Sequence, residues 1–166
     1  VDIIRGIPMI VLAFFVFFGV PQFFKGIGVP LTLSGLQAGT ICLSLNCGAY
    51  MAEIIRAGIQ SVDKGQTEAA RSLGLPQWRT MQRVVMPQAI KTMIPSIINQ
   101  FIITLKDTSI LSVIGFPELV NSAKNVIAIN FKSFETWTIV AIMYIIIITI
   151  LSKVAKVVER RLHRAS

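Results

Sequence analysis

Residues 53–91 read EIIRAGIQSVDKGQTEAARSLGLPQWRTMQRVVMPQAIK, and this central polar segment of about forty residues decides how the whole chain is interpreted. It is rich in charge, whereas the 166-residue chain is 54% hydrophobic and only 14% charged. Soluble domains carry about 25% charged residues, and disordered chains have little apolar mass. The composition therefore excludes a disordered chain and an ordinary soluble domain. It indicates an integral membrane protein whose central polar segment lies outside the hydrocarbon.

Uncharged, apolar runs flank the central polar segment, and a membrane-spanning helix needs about 20 such residues. We predict an all-α, polytopic transmembrane helical bundle in a single domain covering residues 1–166. The approximate spans are 5–24, 33–55, 93–115 and 135–153, with a cytoplasmic loop at 56–91. Because the chain begins at Val1 without a methionine, we expect one or more N-terminal helices of the protein to be missing from this sequence.

Prolines and glycines mark the expected ends of helices. Gly19-Val20-Pro21 is expected to break the first span, since proline removes a backbone donor and clashes with the preceding turn. In the central polar segment we expect a helix near 67–73, ended by Gly74, and a second helix over 76–87. The apolar face of the second helix consists of Trp78, Met81 and Val85.

Basic residues predict the orientation in the membrane, since cytoplasmic loops carry an excess of Lys and Arg. The central polar segment holds Arg56, Lys64, Arg71, Arg79, Arg83 and Lys91, and the C-terminal tail holds Lys153, Lys156, Arg160, Arg161 and Arg164. Both are therefore expected in the cytoplasm, with the tail at anionic membrane lipid. The net charge of +8 does not predict a nucleic-acid partner, because no nucleic-acid motif accompanies it.

Three features suit the central polar segment to binding a partner protein. Ala69 and Ala70 are small, so another surface can approach closely. Gly74 lacks a β-carbon and permits a tight turn between two helices. Glu68, near a helix start, is favoured by the helix dipole and offers a carboxylate to a partner arginine. Composition alone also allows an ordinary amphipathic connector.

The spacing of these residues closely resembles that of the EAA loop of ABC importer permeases. In that loop, Glu-Ala-Ala is followed by three residues and a glycine, and then by nine residues and the sequence Ile-x-Leu-Pro. The matching residues are Glu68, Ala69, Ala70, Gly74 and Pro87. Val84 and Met86 are conservative departures. RGIP at 5–8, GAYMAEIIRAGIQSV at 48–62 and LKDTSILSVIG at 105–115 resemble the polar amino-acid branch of that family.

The resemblance covers nearly all of the chain and implies a type I ABC importer permease in the bacterial cytoplasmic membrane that translocates polar amino acids. It implies three protein partners: a dimer of ABC ATPase subunits, a second permease chain in a homodimer or heterodimer, and an extracytoplasmic amino-acid-binding protein. It also implies that the loop carrying the matching residues docks in a groove of the ATPase. Acidic, neutral and basic amino acids all remain open as cargo.

The sequence contains no phosphate-binding G-x-x-x-x-G-K-[ST] motif. ATP and Mg are therefore expected on the partner ATPase, and this chain is expected neither to bind a cofactor nor to be an enzyme. No nucleophile–base pair or metal-ligand cluster is visible, so the sequence proposes no catalytic or metal residue.

Four polar residues in the predicted spans are candidates for the substrate pathway. Lys106 and Asp107 are expected near membrane depth, because the fourteen uncharged residues 92–105 are too few to cross the bilayer. Burying an ion there costs about 2.5–3.5 kcal/mol on insertion scales, so each charge needs a partner. The α-carboxylate and α-amino groups of a cargo would match both, as would neighbouring helices. Ser44 and Asn46 are the other candidates, with interhelical hydrogen bonding as the alternative.

Other polar residues receive structural interpretations. Glu53 is read as a charge at the end of a span, Tyr50 as an interfacial or packing aromatic, and Gln100 as a weaker cavity candidate than Asn46. The alternative function is a non-transporting membrane scaffold that recruits a cytoplasmic partner through residues 56–91. Such a scaffold would need the loop but not Lys106 and Asp107. A membrane-embedded enzyme lacks any supporting motif.

Overall fold

The computed structural model describes residues 1–164, with side chains described for residues 1–160, and this range contains nine α-helices and no β-strand. The helices are α1 (Asp2–Gly6), α2 (Met9–Phe14), α3 (Val20–Gly26), α4 (Gly35–Gln60), α5 (Lys64–Ser72), α6 (Gln77–Thr80), α7 (Met86–Asp107), α8 (Leu119–Asn130) and α9 (Ser133–Arg164). Two π-helical turns, Phe15–Gly19 and Met81–Val85, and a 3-10 helix, Thr108–Ile114, continue α2, α6 and α7. The predicted all-α class is confirmed. The side chains of Arg161 and Arg164 lie outside the described ones.

Four helical stretches in the described range are long and apolar enough to cross a membrane. They are Met9–Gly26, Gly35–Gln60, Gln77–Ile114 and Ser133–Arg160. Large apolar side chains cover the outer faces of these stretches, and Ile145 on α9 is 65% exposed. Water-soluble monomers do not leave such broad apolar faces uncovered. The architecture is therefore a polytopic helical bundle surrounded by hydrocarbon.

Each π-helical turn precedes a proline, and the helices continue where the sequence predicted interruptions. The Phe15–Gly19 turn is followed by Pro21, and the Met81–Val85 turn is followed by Pro87. A proline ring clashes with the carbonyl four positions earlier and has no N–H to donate. We attribute the wider i to i+5 turns to the relief of this clash. The expected break at Pro21 and the expected helix end near Pro87 are therefore wrong.

The third spanning stretch consequently begins inside the central polar segment. The helices α6 and α7, the π-helical turn between them and the following 3-10 helix are continuous from Gln77 to Ile114. At the other end of the segment, α4 continues to Gln60. The residues between these two long helices, 61–76, carry α5, and the predicted cytoplasmic loop 56–91 also includes the adjoining ends of both helices. A helix without a break joins residues 61–76 to the interior of the bundle.

The helices α4 and α7 form a close antiparallel pair at the centre of the fold. A β-carbon at Gly58 would overlap the Met93 side chain, and a β-carbon at Gly39 would overlap the Phe116 ring. Small residues of this kind let two membrane helices approach closely. A buried cluster forms where α2, its π-helical turn, α4 and the 3-10 helix meet. Its members are Leu12, Ala13, Val16, Ala38, Cys42, Leu111 and Ile114.

Side-chain caps define the starts of α4, α5 and α8. At α4, the Ser34 hydroxyl accepts a hydrogen bond from the Gln37 backbone N–H, and the Gln37 side chain accepts one from the Ser34 N–H. Asp63 caps α5, and Glu118 caps α8. By contrast, α1 and α2 begin without a side-chain cap hydrogen bond.

Candidate functional site

A cavity of about 410 Å³ opens between α4, α7 and the junction of α1 with α2. We call it the break-side cavity. Asn46 and Tyr50 line it from one face of α4, since residues four apart lie above one another on a helix. Gln100, Ile103 and Asp107 line it from one face of α7, where the spacing is three and four. Polar groups from two helices therefore converge on the same space.

The wall opposite these side chains is a break in the first helical stretch. Helix α1 ends at Gly6, and the backbone at Ile7 (φ −92°, ψ 127°) and Pro8 (φ −57°, ψ 138°) is extended before α2 begins at Met9. The residue before a proline disfavours the helical conformation, so this interruption is encoded locally. The four residues of this interruption, Gly6 to Met9, line the break-side cavity. Non-helical backbone at membrane depth is tolerated where it borders such a cavity.

Two amides in the break-side cavity are almost completely buried. Asn46 is 7% exposed and Gln100 is 5% exposed. The Gln100 Nε2 atom donates a hydrogen bond to Thr104 Oγ1 at 3.4 Å, on the same helix. Buried polar groups are costly unless they find hydrogen-bond partners. These amides are therefore suited to a polar ligand in the cavity.

Arg5, which sequence reasoning did not select, is the cation of this site. Its Nη1 atom lies 3.3 Å from Glu53 Oε2 and 3.9 Å from Asp2 Oδ1. Its Cζ atom lies 5.4 Å from the centroid of the Tyr50 ring, which is within cation–π range. Among the described side chains, its Nε atom is buried without a hydrogen-bond partner. Arg5 therefore joins α1 to α4 and retains one unused donor.

A second cavity, of about 370 Å³, lies between α4 and α7 nearer the central polar segment. We call it the loop-side cavity. It shares Arg5, Tyr50 and Gln100 with the break-side cavity. Its remaining lining residues are Glu53, Ile54, Ala57, Gly58, Ser61, Thr92, Met93 and Ser96. The two cavities are thus neighbours that meet at three side chains.

The structure brings together two of the four predicted pathway residues. Asn46 and Asp107 line the break-side cavity, whereas Ser44 and Lys106 are exposed and line neither cavity. Helical geometry explains the division, because residues one or two apart point about 100° or 200° away from each other. The interpretations of Glu53 and Tyr50 as an end-of-span charge and a packing aromatic were incomplete, since both also line cavities. The spacing of residues 46, 50 and 53 places them on one face of α4, and this pattern in the sequence could have predicted that they line the same region.

The projecting part of the central polar segment is a helix–turn–helix. Helix α5 ends in a Schellman motif, in which the Gly74 N–H donates to the Arg71 carbonyl at 2.9 Å and the Leu75 N–H donates to the Ala70 carbonyl at 3.2 Å. Gly74 has φ +83°, a value that side chains with a β-carbon strongly disfavour. The predicted turn between two helices at Gly74 is therefore present, with a specific backbone reason for the glycine.

The matching residues of the EAA-like pattern take different positions in this projection. Glu68 and Ala69 are exposed, whereas Ala70 is buried where α5 packs on α6 and the second π-helical turn. In the single chain Ala70 thus supports the projection from inside, and its role in binding a partner stays a prediction. Pro87 is exposed and follows the π-helical turn.

Two large apolar side chains are exposed on the projection. Leu73 is 84% exposed and Trp78 is 72% exposed, although Val85, on the same predicted apolar face as Trp78, is buried. Trp78 therefore extends beyond the packed part of that face. We call Glu68, Ala69, Leu73 and Trp78 the loop surface. It combines a carboxylate with exposed apolar area, which is typical of a protein-binding surface.

Comparisons with known proteins agree with this geometry. The model of the family described as "Binding-protein-dependent transport system inner membrane component" matches residues 1–164. The glutamine transport system permease protein GlnP of Escherichia coli (strain K12) is 39% identical over 162 residues, which are 98% of this chain and 72% of that protein. The probable glutamine ABC transporter permease protein GlnM of Bacillus subtilis (strain 168) is 39% identical over 99% of this chain and 74% of its own length.

A solved structure has the same arrangement of helices. It is described as a crystal structure of an amino acid ABC transporter with histidines, and it matches with a TM-score of 0.89 at 41% identity. The match covers 96% of this chain and 72% of that one. The predicted helical-bundle fold is therefore confirmed by a protein of clear sequence similarity.

Proposed function

Because the chain belongs to the family of inner membrane components of binding-protein-dependent transport systems, we propose that it is a permease subunit of an ATP-driven importer of polar amino acids. As a member of this family it is a multi-pass inner-membrane protein that works with ATPase and substrate-binding partners. The names of its relatives, two glutamine permeases, support the substrate class. The same relatives, both bacterial, support placement in the bacterial cytoplasmic membrane.

The observation that carries this proposal is the continuous helical stretch from Gln77 to Ile114. One end bears Trp78 of the loop surface, and the other bears Gln100 and Asp107 of the break-side cavity. A displacement imposed on the loop therefore reaches the cavity through one helix. Rigid-body motion of this kind is how alternating access works in many transporters.

We propose that the loop surface docks on a separate ATPase subunit. Glu68 is free to pair with a basic residue, and Leu73 and Trp78 offer the exposed apolar area that interface centres use. The other three matching residues shape the projection: Ala70 packs α5 on α6, Gly74 forms the turn, and Pro87 follows the second π-helical turn. ATP and Mg are bound by that partner, and a dimer of ATPase subunits would bring two such loops together.

The cargo contacts proposed for this chain are Asn46 and Asp107. A carboxylate and an amide in one cavity suit the ammonium and polar groups of an amino acid, and Gln100 adds a second amide. Ser44 and Lys106 face outward from the single chain. They would reach cargo only at an interface with a second permease chain, in a homodimer or a heterodimer.

A transport role accounts for more of the molecule than a membrane scaffold does. A scaffold needs the loop surface, but it does not need a cavity of about 410 Å³ that is lined by two buried amides and by Arg5 and Asp107. The remaining proposed partner is an extracytoplasmic amino-acid-binding protein, which would deliver cargo at the face opposite the loop surface.

Uptake in proteoliposomes tests the proposal. The assembled permease and ATPase would be supplied with the binding protein and radiolabelled glutamine, and we expect uptake that requires both ATP and the binding protein. A panel of unlabelled acidic, neutral and basic amino acids would identify the cargo by competition. ATP hydrolysis without accumulation of any amino acid in the panel would reject amino-acid import.

A further inference from the structure

The break-side and loop-side cavities are separated by a small group of side chains. Arg5, Tyr50 and Gln100 border both cavities. Asn46 and Asp107 border only the break-side cavity, and Glu53 borders only the loop-side cavity. Each cavity alone has a volume that suits a small polar molecule. Arg5 and Tyr50 therefore lie at the boundary that the two cavities share.

We propose that the Arg5–Glu53 ion pair, stacked on Tyr50, is a gate between the two cavities, and that α1 opens it by turning about the break at Ile7–Pro8. The proposal rests on the transport function proposed above. In the closed position the guanidinium bridges α1 to α4 at 3.3 Å and lies over the Tyr50 ring. When the pair separates, the two cavities join into one passage toward the loop side.

The attachment of α1 is suited to such a movement. None of the residues of α1 is buried, and Ile4, which packs against the buried cluster, is only partly buried. Two extended residues separate it from α2, so no helical hydrogen-bond ladder makes α1 and α2 one rigid rod. Besides the packing of Ile4, the Arg5 contacts to Glu53 and Tyr50 hold α1 to α4.

The strength of the ion pair also suits a gate. The Arg5 and Glu53 side chains are 33% and 36% exposed, and partly exposed pairs are only weakly stabilising. The buried Arg5 Nε atom has no acceptor among the described side chains, so the closed position does not use all donors of the guanidinium. Separation of the pair lets both charged groups be solvated in the joined cavities.

The gate predicts that a tether across the ion pair stops transport. Arg5→Cys and Glu53→Cys would be combined in a Cys42→Ala, Cys47→Ala background and treated with a short bis-methanethiosulfonate. Relative to the capped control, we expect the tether to lower ATP-driven glutamine uptake at least tenfold, and we expect reduction with dithiothreitol to abolish this difference. The matched control is the same variant capped with methyl methanethiosulfonate, which modifies both thiols without joining them.

A second measurement does not depend on transport. Asn46→Cys would be introduced into the Cys42→Ala, Cys47→Ala background, with Arg5 and Glu53 retained. The new thiol would be labelled by a charged, membrane-impermeant reagent added on the loop side of inside-out vesicles. We expect labelling to become at least tenfold faster when Glu53→Ala removes the ion pair. Equal labelling rates, or uptake by the tethered variant within twofold of the capped control, would overturn the gate.

The two measurements separate the gate from the function on which it rests. If neither the untethered variant nor the parent protein accumulates any amino acid, the transport proposal fails. The labelling rates would still decide whether the ion pair closes one cavity from the other. If the untethered variant transports and the tether has no effect, only the gate fails.

Discussion

Gly58 of α4 lies against the side chain of Met93 of α7 so closely that a β-carbon at position 58 would overlap it. This contact lies beside the loop-side cavity, which both residues line. A close contact between α4 and α7 is therefore part of the cavity wall. Any change that separates the two helices at this point also changes the passage between them.

Gly58→Ala should destabilise the protein, although alanine is the better helix former. Overpacking of a close contact typically costs about 1–3 kcal/mol, which exceeds the gain of about 1 kcal/mol from replacing a helical glycine. Gly48→Ala on the same helix is the matched control, since nothing lies within 4 Å of its added β-carbon. Thermal unfolding in detergent should show a lower midpoint for Gly58→Ala and an unchanged or higher midpoint for Gly48→Ala. Equal midpoints would contradict the close packing.

Glu68→Lys should uncouple transport from ATP hydrolysis while leaving the protein in the membrane. Glu68 is exposed, so the substitution disturbs no packing inside the chain. It removes a charge-assisted contact to the ATPase, worth about 1.5–3 kcal/mol, and adds repulsion toward a basic partner group. Uptake in vesicles should fall at least tenfold, with ATPase activity retained. Gln66→Lys, exposed on the same helix, is the control, and wild-type uptake by Glu68→Lys would reject the docking role.

Trp78→Ala should weaken binding to the ATPase without lowering the stability of the permease. An exposed aromatic residue at the centre of an interface contributes about 2 kcal/mol or more, which is about a 30-fold loss of affinity. Phe131→Ala is the control, because Phe131 is 86% exposed at the end of α8, away from the loop surface. Affinity for the isolated ATPase should drop for Trp78→Ala alone. Equal losses for both variants would show that the loop surface has no special role.

Asp107→Asn should raise the KM for amino-acid uptake about tenfold or more, as expected when a hydrogen bond to a charged group worth about 1.5–3 kcal/mol is lost. Lys106→Gln is the neighbouring comparison. It should change KM by less than about threefold, because Lys106 is exposed and lines neither cavity. Competitive uptake curves give both values. A larger effect at Lys106 would place the cargo at the interface with the second permease chain.

The prolines show where local sequence rules were insufficient. The rule that proline ends a helix predicted interruptions at Pro21 and Pro87, yet both helices continue through a π-helical turn. At Pro8, where no break was predicted because proline is tolerated in a first turn, the helix is interrupted, since Ile7 and Pro8 are both extended. Pro95 is accommodated inside α7 without any π-helical turn, so the three outcomes differ although the residue is the same. The residue type alone does not encode the outcome.

The sequence by itself determined the helical class, the membrane environment and the projecting turn at Gly74. These properties depend on local quantities: the length of apolar runs, the density of charge and the backbone freedom of glycine. The spacing of Glu68, Gly74 and Pro87 was also sufficient to identify the family, since that pattern lies within one short segment.

Tertiary structure alone decided which polar residues share a cavity. Asn46 and Asp107 meet at the break-side cavity, and Arg5 reaches Glu53 from a helix 48 positions earlier in the chain. Those contacts require a particular rotation of each helix about its axis and a particular pairing of helices. Hydropathy specifies neither, because every outward face of a membrane helix is apolar and only packing against neighbours selects the inward one.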